Sequence, residues 1–154
     1  LMAEPPSQSC ADAVEAALDA PPGTSCPVVE TIRRIDYLVL VAEPTPFGLH
    51  DLKLVVDMAR ILQLPLGIVV NRAGSGDRAL YDYCADENID ILGEVPDDRA
   101  IAVAYSQGQL AIDALPHYRE RFQLLAQRIV TQAIASQSGT AQFVNAQPSA
   151  RKTP

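Results

Sequence analysis

The chain has 154 residues, a length that favours a single domain, and 48% of them are hydrophobic, so it can bury a core. Its net charge of −7 argues against a nucleic acid or an anionic membrane as partner, because both need a basic footprint. Three widely spaced cysteines without a Cys-x-x-Cys argue against a disulfide framework or a zinc site, so we expect a reducing, cytoplasmic setting.

The N-terminal third is predicted to contain a loose arm, two strands and a helix. Residues 1–13 are rich in Pro, Ser and Ala and form the arm. Residues 14–19 combine helix-favouring Ala and Glu with a position before Pro-Pro-Gly that suits the end of a strand, and we predict a poor strand there. Residues 27–34 are predicted to form a short helix, since a proline suits the first helical turn. Residues 36–42 form an apolar run typical of a strand buried on both faces.

The rest of the chain alternates between helices and strands. Residues 49–63 are the clearest helix, because their apolar side chains recur at helical spacing and form one stripe. Residues 66–70 form another apolar strand, and a glycine-rich loop follows it at 73–77. The remaining predictions are helices at 78–88, 98–107 and 116–136, a strand at 89–95 and a disordered tail at 137–154.

This alternation predicts an α/β fold, a three-layer αβα arrangement with a mostly parallel sheet, in one unit spanning residues 14–136. Functional side chains in such sheets gather at the carboxyl ends of the strands. Four strand ends are therefore expected to converge on one edge. They are residues 19–23, 43–45, 71–72 and 96–98.

The first of these strand ends has the composition of a metal and anion site. Asp19 precedes a tight turn and the start of a helix, where a carboxylate and free backbone N–H groups come together. Asp19 could hold Mg²⁺ through water, since magnesium prefers carboxylates, waters and phosphate oxygens, or it could act only as a capping residue. Cys26 at the helix start could be reactive, but a small buried side chain is the interpretation we favour.

The later strand ends carry groups that suit a purine base. Asn71 offers an amide donor and an acceptor, although asparagine after a strand is often only a turn former. Arg72 could stack on a base or point into solvent. Pro96 and Asp98 could form a wall of a base pocket or simply begin the next helix. The sequence contains no Ser/His/Asp arrangement and no His-Glu-x-x-His, so no catalytic residue is assigned.

Four ordered segments carry a family resemblance. They read Asp-Ala-Pro-Pro-Gly-Thr-Ser-Cys-Pro at 19–27, Val-Ala-Glu-Pro-Thr-Pro-Phe-Gly-Leu-His-Asp-Leu at 41–52, Gly-Ile-Val-Val-Asn-Arg-Ala-Gly at 67–74 and Ile-Leu-Gly-Glu-Val-Pro-Asp-Asp-Arg at 91–99. Together they resemble the MinD/ParA/Mrp group of P-loop ATPases, and within it the MinD-superfamily subgroup that carries an inserted ferredoxin domain. The resemblance covers about residues 18–131.

The resemblance implies a P-loop NTPase-like fold and a role for each strand end. Asp19 would be the Walker B-like carboxylate that contacts Mg²⁺ through water. The switch turn near the γ-phosphate would consist of Pro21, Pro22 and Gly23. The nucleotide-binding residues would be Asn71 and Arg72 near the adenine, and Pro96 and Asp98 lining the base pocket.

The resemblance also implies cofactors and partners. ATP and Mg²⁺ would be the cofactors, members dimerise around ATP, and the clusters of the inserted ferredoxin domain suggest a link to iron–sulfur or electron-transfer chemistry. This chain itself contains no iron–sulfur ligands of that kind. The possible partners are a second copy, a missing N-terminal half and a ferredoxin-type domain.

One essential part of the family pattern is missing. The phosphate loop of the family reads Gly-Lys-Gly-Gly-x-Gly-Lys-Thr/Ser, whereas this chain has no Gly-Lys dipeptide, and neither Lys53 nor Lys152 lies in a glycine loop. Phosphate binding needs a nest of backbone N–H groups and the lysine charge. We therefore expect the C-terminal half of such an ATPase, inactive alone and with weak or absent affinity for ATP.

Two other functions compete with this interpretation. A non-enzymatic docking or regulatory module of the same fold would expose an apolar sheet edge near residues 14–18 and 37–41. A flavodoxin-like binder ranks last, because aromatic residues make up only 5% of the chain and tryptophan is absent.

Overall fold

Helices and strands alternate along the chain. The computed structural model describes residues 17–20 and 26–137. Its elements are α1 (Cys26–Ile32), β1 (Leu38–Ala42), α2 (Pro46–Ile61), β2 (Leu66–Ala73), α3 (Ala79–Asp86), β3 (Ile91–Pro96), α4 (Arg99–Ser106), α5 (Ala111–Ala114) and α6 (Pro116–Gln137). The three strands form a parallel sheet in the order β1-β2-β3. The α/β fold class is therefore confirmed.

One face of the sheet is closed by α2 and α3. Its core brings Ile68 and Val70 of β2 against Val56 of α2 and against Leu80 and Cys84 of α3, and all five residues are at most 1% exposed. Alternate residues of a strand point to the same face, so β2 presents an apolar row to the two helices. A second cluster packs α1 beside α2 and the start of β1.

The opposite face is covered over β3 by α6. A Cβ atom added at Gly93 would lie 2.9 Å from Cδ1 of Leu125, so the last helix packs closely on this strand. Helices on both faces make the three-layer αβα arrangement. At the other side of the sheet, β1 pairs only with β2 among the described residues, and Val41 is 66% exposed.

The predicted strand at 14–19 is wrong where it can be compared. Residues 17–20 have no regular secondary structure, and residues 14–16 lie outside the described residues. Ala and Asp have low strand propensity, and this segment has no pattern of β-branched residues to offset that. The three other predicted strands are confirmed, with β2 running three residues further than predicted.

The helices differ most from the predictions in two places, and the other helix ends lie within two residues of the predicted ones. Helix α2 begins at Pro46 rather than at residue 49, because Thr45 caps it and Pro46 occupies its first turn. The short helix α5 was not predicted.

Among the described residues, no helix combines the length and apolar character needed to cross a membrane. The predicted arm at 1–13 and nearly all of the predicted tail at 137–154 lie outside the described residues.

Candidate functional site

Three strand ends meet at one edge of the sheet, as the parallel topology requires. Glu43 follows β1, the pair Asn71 and Arg72 lies near the end of β2, and Asp97 and Asp98 follow β3. We call residues 43, 71–73 and 96–98 the carboxyl edge. Asp19, which was expected at a fourth strand end, lies in no strand.

A bulge at Asn71 and Arg72 distinguishes the end of β2. Between the pairs Val70–Glu94 and Ala73–Pro96, β2 advances three residues while β3 advances two. Arg72 has a φ of 52°, the left-handed region that is uncommon for residues other than glycine. Bulges change the direction of side chains and occur often beside active sites. This bulge places the guanidinium of Arg72 across the carboxyl edge.

Arg72 joins all three strand ends through ion pairs. Its Nε donates to Oδ1 of Asp97 at 3.2 Å, and its Nη1 donates to Oε2 of Glu43 at 3.4 Å. The hydrogen bond to Asp97 is the main cause of the raised pKa of Arg72, followed by the charges of Asp97 and Glu43. The Arg72 side chain is 52% exposed, and exposed ion pairs contribute little stability. Arg72 can therefore exchange these partners for a ligand at low cost.

Asp98 is held more firmly than Arg72. Its Oδ1 accepts from the backbone N of Ala100 at 2.8 Å and thereby caps α4, while the hydroxyl of Tyr118 donates to its Oδ2 at 2.7 Å. The Tyr118 hydrogen bond is the largest cause of the lowered pKa of Asp98, followed by the Ala100 bond. Because each carboxylate oxygen has a protein partner, Asp98 fixes the start of α4 against α6. Its contact with a nucleotide stays a prediction.

Tyr118 is a site residue that the sequence reasoning missed. It is buried at the start of α6 and ties that helix to the carboxyl edge. One signal in the sequence could have indicated it, namely a tyrosine in the first turn of the last predicted helix. A tyrosine that becomes buried there needs a hydrogen-bond partner for its hydroxyl. Twenty residues separate it from Asp98, so no local pattern joins the two.

Asn71 is half-buried, and its side chain makes no hydrogen bond to another described residue. An amide group has two donor hydrogens and one acceptor oxygen. Its hydrogen-bonding capacity is therefore available to a ligand. Pro96 ends β3 beside Ala73 and is likewise half-buried.

Two glycines shape the loops beside the carboxyl edge. A Cβ atom at Gly48 would collide with the carbonyl oxygen of Glu43, and one at Gly76 would collide with the carbonyl oxygen of Pro44. The loop after β2 therefore lies directly on the turn after β1, and Pro44 beneath it is fully buried. This close contact fixes the backbone from which the Glu43 side chain extends.

One groove formed by the described residues lies away from the carboxyl edge. It lies between β3 and α6, encloses about 490 Å³ and is open to solvent. Leu92, Gly93 and Leu125 are among its lining residues, with Arg121 and Arg128 beside them.

The structure leaves the predicted metal and switch residues largely untested. Asp19 is exposed, whereas Pro21, Pro22 and Gly23 lie outside the described residues, as does the side chain of Cys26. Within residues 17–20 and 26–137, no three His, Cys, Asp or Glu side chains are grouped as metal ligands would be. At the carboxyl edge, the two carboxylates nearest to Arg72 already share its positive charge.

Comparison with known proteins finds two relatives in Methanocaldococcus jannaschii, both described as uncharacterized. The chain is 32% identical over 93 residues to the protein MJ0579, covering 60% of this chain and 31% of that protein. It is 28% identical over 57 residues to MJ0578, covering 37% of this chain and 21% of that protein. The chain thus spans about a third or less of the relatives it matches. No protein-family model matches it.

Proposed function

We propose that this chain is the C-terminal portion of a MinD/Mrp-like ATP-binding protein, in which the carboxyl edge receives the adenine base. The observation that carries the proposal is the convergence of Asn71, Arg72 and Asp98 at the carboxyl ends of adjacent parallel strands. Ligands of open α/β sheets bind in the crevice outside these ends. The resemblance carried by the segments at 67–74 and 91–99 implies the same residues at the base.

The geometry suggests a task for each group at this edge. The free amide of Asn71 would bind the polar edge of the purine, and Pro96 would contact its flat face. Arg72 would leave its exposed carboxylate partners and stack its guanidinium on the base, an interaction suited to a planar cation. Asp98 acts as a positioning residue through its bonds to Ala100 and Tyr118.

The phosphate part of the site would come from elsewhere in the protein. This chain has no Gly-Lys dipeptide, and the nest of N–H groups and lysine that holds the β- and γ-phosphates is therefore not supplied by it. Mg²⁺ would neutralise the phosphate charge, with Asp19 contacting it through water. The length of the relatives supports a larger whole, since 93 matched residues are only 31% of MJ0579. We propose a ferredoxin-type redox partner and a cytoplasmic setting on the resemblance and the composition alone.

Two measurements test this proposal. Titration calorimetry of the chain with ATP and Mg²⁺ should detect no micromolar binding, and micromolar magnesium-dependent binding would sink the claim that the chain is incomplete. The genomic DNA upstream of the codon for Leu1 should contain a reading frame with Gly-Lys-Gly-Gly-x-Gly-Lys. A natural gene without that motif would remove the main support for an ATPase.

A non-enzymatic docking module is the second candidate function, and one observation favours it. Strand β1 reads Leu-Val-Leu-Val-Ala, pairs on one side only among the described residues, and exposes Val41 to 66%. Apolar edge strands are templates for pairing with another chain. If docking is the function, Val41→Lys should abolish association with a partner and leave the fold intact. Association that survives this substitution contradicts the docking role of β1.

A further inference from the structure

Helix α2 carries two apolar stripes, and only one of them faces the core. Leu52, Val56 and Ala59 form the buried stripe. On the far side, Phe47, Leu54 and Ile61 are 84%, 49% and 82% exposed, and we call these three the outer stripe.

The outer stripe is a straight row because of its spacing. Its members are seven residues apart, and over that interval a helix of 3.6 residues per turn rotates to within about 20° of two full turns. The row runs over 14 residues, or about 21 Å of helix. A surface helix in contact with water normally has polar residues on this side.

We propose that the outer stripe is the seam of a homodimer in which two copies of α2 pack antiparallel about a two-fold axis at Leu54. The stripe is symmetric about its centre, since Phe47 and Ile61 each lie seven residues from Leu54. In an antiparallel pair, Leu54 therefore meets its own copy, and each Phe47 meets the Ile61 of the other chain. A two-fold interface requires this self-complementary arrangement.

The residues beside the stripe fit the same arrangement. His50 and Asp57 are seven residues apart and share the flank of α2 nearer α3, whereas Asp51 and Met58 share the flank nearer α1. When the two helices pack antiparallel about Leu54, the flank nearer α3 in one chain lies beside the same flank of the other chain. His50 of each chain therefore lies beside Asp57 of the other. The acidic Asp51 lies beside Met58 of the other chain rather than beside another carboxylate.

The basic side chains of α2 are already engaged within the chain. Lys53 lies over the ring of Tyr83 at 5.1 Å, and Arg60 pairs with Glu87 at 2.7 Å. Both contacts bind α2 to α3 on the side away from the stripe, so neither cation interrupts the seam. Three side chains from each helix bury less surface than a standard interface, which buries about 800 Å² per partner. We therefore expect a dissociation constant on the order of 10–100 µM.

Sedimentation equilibrium of the chain without nucleotide, from about 5 to about 500 µM, tests the proposal. The chain should change from monomer to dimer over this range. Leu54→Glu should raise the dissociation constant at least ~30-fold, because two carboxylates would then be buried against each other without partners. Phe47→Ser should raise it roughly 10-fold through lost apolar contact. Leu124→Glu, at a leucine of α6 that is 58% exposed, should leave it unchanged.

A charge exchange tests the register separately. His50→Asp should weaken the dimer roughly threefold by facing Asp57, and the double variant His50→Asp with Asp57→Lys should restore it. These positions are exposed, and circular dichroism verifies that each variant keeps its helix content. A chain that stays monomeric at the highest concentration overturns the proposal. A dimer that persists in Leu54→Glu but dissociates in Val41→Lys also overturns it, because β1 would then be the interface. Because no nucleotide is present, the result is independent of the proposed ATP site.

Discussion

The closed face of the sheet and its carboxyl edge are built in opposite ways. On the closed face, Ile68, Val70 and Leu80 are almost fully buried, and no polar or charged residue is buried anywhere in the described part of the chain. At the carboxyl edge, Arg72 and its carboxylate partners are half exposed and linked by long ion pairs. Stability therefore comes from the closed face, while the edge keeps side chains that can exchange partners.

The largest effect on stability is expected at the closed face. Leu80→Ala leaves a cavity beside Ile68 and should lower the free energy of unfolding by about 3 kcal/mol. Urea denaturation followed by circular dichroism measures it. Val41→Ala is the matched control, since this exposed apolar side chain should change stability by less than about 0.5 kcal/mol. Equal effects from both substitutions would contradict the role that burial is given at Leu80.

A smaller effect is expected at Thr45, which lies between the two regions. Its hydroxyl accepts from the backbone N of Gly48 at 3.0 Å and caps α2. Thr45→Ala should cost about 1 kcal/mol of unfolding free energy in the same assay, and Thr45→Ser should recover most of it. If the serine variant is as unstable as the alanine variant, the hydroxyl is not the stabilising group.

Alkaline pH should act on the closed face. Burial is the main cause that raises the pKa of Tyr83 to about 12 and that of Cys84 to about 11. The folded chain therefore favours the neutral forms of both side chains. The stabilisation that this gives is complete below their pKa values in the unfolded chain, about 10 and 8.5, and it is lost as the pH rises through their higher pKa values in the folded chain.

In Tyr83→Phe, stability should therefore fall less steeply with pH between about pH 10 and pH 12. The urea midpoint at each pH measures this slope. Tyr105→Phe, at an exposed tyrosine of α4, is the control and should leave the slope unchanged. An unaltered slope in the Tyr83 variant would contradict the role assigned to its burial.

Acid pH should act on the carboxyl edge. The hydrogen bond from Tyr118 holds the pKa of Asp98 below its usual value. Such a carboxylate stabilises the fold above its unfolded pKa of about 3.9, and that contribution is lost as the pH falls through the folded value. Tyr118→Phe keeps the ring against Phe122 and removes the hydroxyl. It should make the decline below about pH 4 shallower, and a decline as steep as in the parent chain would contradict this account.

The sequence was sufficient for the parts of the fold that depend on local patterns. The apolar runs predicted β1 and β2, the stripe of Leu52, Val56 and Ala59 predicted α2, and parallel topology then required their carboxyl ends to meet. The start of α2 lies three residues before the predicted one, because Pro46 occupies the first turn of the helix, a position that suits proline.

The details of the site depended on contacts between distant residues. The bulge that orients Arg72 arises from pairing with β3, about 25 residues further along, and the Asp98–Tyr118 bond joins two helices. The failed strand at 14–19 rested on its position before Pro-Pro-Gly rather than on residues that favour a strand.

The central claim is that the carboxyl edge binds an adenine base and that this chain does not bind the phosphates. A titration of the ¹⁵N-labelled chain with adenosine, and separately with ATP and Mg²⁺, followed by amide chemical shifts, tests it directly. We expect shifts confined to residues 71–73 and 96–100, a dissociation constant on the order of 1 mM for both ligands, and loss of the shifts in Asn71→Ala. Shifts that are absent, that lie elsewhere or that saturate at micromolar ATP would contradict it.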